Sequence, residues 1–151
     1  MKKLIGLFLT AFVIGTAIAG DAPRGFMESD EFAEAQEKAR KAKKLIAVAV
    51  KGDDGCPRCA AAMENGTKAI KSDCVMVFMR VPQARSGKDI PASVHQQVKN
   101  SPGGASVTFY VFDPELEGVI AKAGRSELEA NRDATKAFKK KVDEARDELK
   151  G

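Results

Sequence analysis

Two spacings of apolar residues alternate along this chain, and each predicts its own kind of element. Phe32, Ala35, Ala39 and Ala42 recur at helical spacing and predict a helix over about 30–43, with Ser29 as its N-cap. Leu45-Ile46-Ala47-Val48-Ala49-Val50 is a continuous apolar run, too short for a helix of its own, and predicts a strand buried on both faces. After a polar turn with two glycines, Cys56 opens a helix that continues to about 71 and is weakened at Asn65-Gly66. A second buried strand runs from Cys74 to Val81, Pro82 ends it, and a long loop leads to a short helix near 92–99. Past the turn cluster Ser101-Pro102-Gly103-Gly104, strands over 106–112 and 119–123 are joined by Asp113-Pro114-Glu115. The last helix spans about 126–149, with Leu128, Phe138, Val142, Ala145 and Leu149 on one face. The order α-β-α-β-α-β-β-α implies an α/β fold with a mixed sheet covered on both faces.

The first nineteen residues stand apart from this pattern. Lys2 and Lys3 precede the apolar stretch from Leu4 to Ala19, which closes on Ala17-Ile18-Ala19, the three-part layout of a secretory signal peptide cut before Gly20. The alternative is an uncleaved anchor, although sixteen residues fall short of the roughly 20 that a spanning helix needs. The expected domains are therefore a signal peptide over 1–19 and one folded domain over 20–151, periplasmic or secreted and free of the membrane after cleavage. Without Lys2 and Lys3 the net charge is only +2, and the basic residues at 38–44 and 136–141 alternate with acids and alanines. They read as solvated helix faces, and nothing calls for nucleic acid.

Exported chains put cysteines to structural use, yet Cys56 and Cys59 have only two residues between them. Closing so small a loop removes little unfolded-state entropy, so this spacing argues for chemistry. The first cysteine of such a pair must be a thiolate to attack a disulfide, and the second must be close enough to attack back. At a helix start, Cys56 would lie near unpaired N–H groups and the positive dipole end, which favour the anion. Pro57 suits the first helical position, where a backbone N–H has no partner to lose. Arg58 adds a cation that depresses the pKa of Cys56, whereas Asp53 and Asp54 raise it if their carboxylates face the sulfur. A redox pair is the leading reading. Half of a metal site and an inert structural pair are the alternatives, and no second C-x-x-C or H-x-x-x-H exists to complete a zinc site. No cofactor is expected.

The other candidates have plainer readings. Cys74 starts a strand as a small buried hydrophobe, and Met76 and Met79 read as core. His95 reads as a surface or helix-capping residue. Asn65-Gly66-Thr67 matches a glycosylation acceptor, for which a helix-interrupting turn is the simpler account.

With the strand from Leu45, the Cys56-Pro57-Arg58-Cys59 motif, the hairpin over 107–123 and the last helix, the chain resembles the thioredoxin superfamily, in particular its small exported members. The resemblance covers about 28–145, and its one specific motif is the cysteine pair. It implies a three-layer α/β/α sandwich with an N-terminal helix, and a thiol-disulfide oxidoreductase acting transiently on protein thiols or disulfides. Cys56 and Cys59 would be its catalytic residues, with Pro57, Arg58 and Val107 modulating them. Three positions depart from the family. Gly55 replaces the usual tryptophan, Val50 replaces the buried aspartate of thioredoxins proper, and Val107 stands where a cis-proline normally faces the cysteines. A cis bond before a non-proline residue costs about 2.5–4 kcal/mol, so Ser106–Val107 is expected to be trans. These departures favour two further readings, a non-enzymatic thioredoxin-like binding module and a copper chaperone using the same thiols.

Overall fold

The apolar run at Leu45 becomes the central strand, β1 (Leu45–Lys51). In the computed structural model, which describes residues 22–151, β1 pairs in parallel with β2 (Cys74–Arg80) and antiparallel with β3 (Val107–Phe112). A fourth strand, β4 (Val119–Gly124), pairs antiparallel with β3 across an irregularity at Val111/Phe112, giving the order β2-β1-β3-β4. The expected signal peptide over 1–19 lies outside the described residues. Met27 bridges to Val77 on the free side of β2, so its backbone covers part of an otherwise open edge.

Alternation along β1 splits its side chains between two cores, as a strand buried on both faces requires. Ile46, Val48 and Val50 pack with Val77, Met79, Tyr110 and Phe112 under α1 (Phe32–Ala42), α3 (Val81–Ser86) and α4 (Ala92–Val98). Leu45, Ala47 and Ala49 pack with Met76, Phe109 and Val111 under α2 (Pro57–Ile70), α5 (Arg125–Leu128) and α6 (Arg132–Lys150). The result is a three-layer α/β/α sandwich with a mixed central sheet. Among the described residues no helix is long and apolar enough to cross a membrane. The basic helix faces are laced with acids at i,i+4, as in Lys38–Glu34, Lys41–Glu37 and Lys139–Asp143.

Local expectations fail at four places, each for a physical reason. Ser29 is buried in a short 3₁₀ turn, and Glu28 holds the N-cap position, its N–H donating to the Glu31 carboxylate at 2.7 Å. β2 stops at Arg80, and instead of a long loop α3 begins at once with Pro82 in its first turn, where the missing N–H costs nothing. α2 passes through Asn65-Gly66 unbroken, so no helix-interrupting turn exists there. The last helix is two helices, because Asn131 caps a new one by accepting from the Ala134 N–H at 2.9 Å.

Candidate active site

β1 delivers the chain to a short loop at its C-terminal end, and Cys56 follows as the N-cap of α2. Pro57 takes the first turn, and the Cys56 carbonyl accepts the first helical bond from Ala60 N–H at 3.0 Å. This places Cys56 and Cys59 one helical turn apart, with Cα atoms 5.2 Å apart and the two sulfurs joined as a disulfide. Cys56 Sγ also accepts the Cys59 N–H at 3.1 Å, one of the donors that a helix start leaves without a backbone partner. Cys56 is half-buried and Cys59 fully buried. A partner therefore reaches the first sulfur more readily than the second, and the helix start favours negative charge at that first sulfur.

The loop ahead of the cysteines is stitched to the segment that leads into β3. Gly52 N–H donates to the Ser106 carbonyl at 3.0 Å, and Asp53 N–H to the Gly104 carbonyl at 2.7 Å. The backbones approach so closely that a side chain at Gly52 would collide with the Gly104 carbonyl oxygen. Val107 then starts β3 opposite Lys51, fully buried in the same core as Cys59. No cis peptide bond occurs among the described residues, so Ser106–Val107 is trans, as its residue types predict. Val50 packs in the opposite core from Cys59.

The charged side chains near the pair are engaged with one another. Arg58 is engaged by Glu129, at 2.8 Å from Nε and 2.5 Å from Nη2. Arg125 adds a longer contact to the same carboxylate at 3.7 Å and donates through Nη1 to the Ala105 carbonyl at 2.6 Å. Asp54 pairs with Lys51 at 2.9 Å and Arg80 at 3.1 Å, and hydrogen bonds from these two cations lower its pKa. Nothing local in the sequence marks Glu129, which lies 71 positions from Arg58.

The remaining candidates fall outside the site. Cys74 pairs with Leu45 at the far end of β1, about 20 Å along the strand from the cysteine pair. Met76 and Met79 are buried in opposite cores. His95 Nε2 lies 3.2 Å from the Arg85 carbonyl near the end of α3, a helix-capping place. Asn65 donates to the Leu128 carbonyl at 2.8 Å, tying α2 to α5. Among the described residues no group of three or more His, Cys, Asp or Glu side chains is placed to hold a metal ion.

No family model matches the chain, and no curated protein matches it. Among solved structures, a disulphide isomerase from Xylella fastidiosa Temecula1 aligns at 13% identity over 89% of this chain and 100% of its own, with a TM-score of 0.45. At that identity and score the likeness says nothing of function. The fold declares itself through the chain's own topology: a mixed β2-β1-β3-β4 sheet between two helical layers, with a C-x-x-C opening the helix after the central strand, is a thioredoxin-like α/β/α sandwich.

Proposed function

We propose that the chain is an exported thiol-disulfide oxidoreductase that exchanges disulfides with protein partners through Cys56 and Cys59. The observation that carries this reading is the unequal exposure of a bonded pair, with Cys56 half-open at a helix N-cap and Cys59 buried one turn behind it. In the reducing direction the Cys56 thiolate attacks a partner disulfide, forms a mixed disulfide and releases one partner thiolate. Cys59, deprotonated, then attacks Cys56 Sγ, releases the second partner thiol and leaves the Cys56–Cys59 disulfide, two electrons having passed to the partner. The oxidising direction is the reverse. Export rests on the signal-like segment from Lys2 to Ala19.

Equilibration of the mature protein with glutathione, beside a pH profile of Cys56 alkylation, tests the reading. A reversible couple between about −270 and −120 mV supports it, and the value assigns the direction. Cys59→Ser should then trap partners as mixed disulfides on Cys56. A pair that stays oxidised, or traps nothing, leaves the binding module. One Cu(I) bound only after reduction would make the chain a chaperone.

A further inference from the structure

We infer that Glu129 is a positioning residue of the redox pair: its carboxylate and the Cys56 thiolate compete for the Arg58 guanidinium, and this competition sets how oxidising the pair is. The inference rests on the exchange reading above and concerns the control of that same site.

The Glu129 side chain is only 11% exposed, and a carboxylate so far out of water requires counter-charge. Arg58 provides it through a two-point contact, the geometry in which a guanidinium fork matches a carboxylate. The two partners differ in freedom. Glu129 is anchored through its backbone, because its N–H bonds the Arg125 carbonyl at 2.9 Å and Asn65 Nδ2 donates to the Leu128 and Glu129 carbonyls at 2.8 and 3.4 Å. Leu128, next to it, is fully buried. Arg58 is 70% exposed, so its head can leave the carboxylate without opening the core.

Arg58 also lies between the two cysteines on the first turn of α2. In the disulfide the sulfurs carry no charge, and the guanidinium stays on Glu129. When a partner dithiol supplies two electrons and one proton is taken up, the products are a Cys56 thiolate and a Cys59 thiol. The thiolate is then a second anion beside Arg58. Other charges near the loop are already engaged: Asp54 is held by Lys51 and Arg80, and Arg125 bonds the Ala105 carbonyl while touching the Glu129 carboxylate only at 3.7 Å, against 2.5 and 2.8 Å for Arg58. Asp53 is exposed on the same loop and is unchanged in every variant below.

The experiment is redox equilibration with glutathione, with a pH profile of Cys56 alkylation, on the wild type, Glu129→Gln, Arg58→Gln and the double variant. Glu129→Gln should release Arg58 to the thiolate, lower the Cys56 pKa and shift the equilibrium about tenfold toward the reduced form, roughly 30 mV for this two-electron couple. Arg58→Gln should move both readouts the opposite way, and in its background the Glu129→Gln shift should shrink by more than half. Arg58→Lys, at a position 70% exposed, keeps the charge but loses the fork, and should shift the equilibrium in the direction of Glu129→Gln. An unchanged potential in folded Glu129→Gln and in Arg58→Lys would overturn the inference. So would an undiminished Glu129→Gln shift without Arg58, which would mean that the carboxylate acts on the sulfur directly. If the wild type itself forms no reversible couple, the exchange reading fails first, and the two failures are distinguishable.

Discussion

The ring of Phe109 fills the space into which Gly66 would project a side chain: a Cβ there would lie 2.6 Å from Cε2 and 2.9 Å from Cζ. Gly66 is buried in the body of α2, and Phe109 is fully buried on β3, so this contact sets how closely the helix carrying the cysteines lies on the sheet. In an exposed helix interior, glycine to alanine gains about 1 kcal/mol. Here overpacking costs about 1–3 kcal/mol and wins. Gly66→Ala should therefore lower the urea midpoint, and a higher midpoint would show that the ring yields freely.

The same residue shows where sequence reading stops. The strands are legible because runs such as Leu45 to Val50 have no polar break, and the start of α2 because Cys56-Pro57 reads as a cap and first turn. Asn65-Gly66 reads locally as a helix breaker, and only the cross-layer partner Phe109 turns it into a packing device. Pro82 is ambiguous in the same way, since a proline that ends a strand also suits the first turn of a helix. The cysteine pair is a local motif and stands out. Its charge partner Glu129 and the loop carbonyls of Gly104 and Ser106 come from distant sequence, and no local pattern announces them.

Cys74 should be silent in thiol chemistry. Burial, aided by the neighbouring Asp73 charge, pushes its thiol up to about 12, so almost no thiolate exists near neutrality. In the reduced native protein at about pH 8, Ellman's reagent should release two equivalents of chromophore rapidly, because Cys59 displaces the adduct formed on Cys56. The third equivalent should appear only with denaturant. Three rapid equivalents would show that the start of β2 opens readily.

Asp73 and Arg146 link the beginning of β2 to α6, with Arg146 Nη1 donating to the carboxylate at 2.6 Å and the Asp73 side chain 8% exposed. Burial acts to raise the Asp73 pKa, but the Ser72 hydroxyl, Arg146 and Lys139 together outweigh it and the net shift is downward. A carboxyl with a lowered folded pKa stabilises fully above its unfolded value, about 3.9, and loses that contribution as pH falls through the folded value. Asp73→Asn should thus be less stable than the wild type by about 1.5–3 kcal/mol at pH 7. The gap should narrow in urea unfolding as the pH drops below about 4. A gap that stays constant to the lowest pH would assign the loss to packing rather than to charge.

Gly52 and Gly55 share one loop and should fail differently when given a methyl group. At Gly55 the backbone has φ +79° with no atom within 4 Å of a Cβ, so Gly55→Ala meets only the left-handed conformational cost of about 1–2 kcal/mol. The disulfide and its potential should survive that change. At Gly52 the conformation is ordinary, but the Gly104 carbonyl occupies the site of the Cβ, and Ser106 Oγ lies 2.8 Å from it. The Gly104 carbonyl is backbone and cannot swing aside as the Ser106 hydroxyl can, so the loop must separate from the segment leading to Val107, breaking the Gly52–Ser106 and Asp53–Gly104 bonds. Gly52→Ala should be the more destabilised variant in thermal unfolding, and its glutathione equilibrium should move while that of Gly55→Ala stays near the wild type. Equal behaviour of the two variants would mean that the stitching between these loops does not support the cysteine pair.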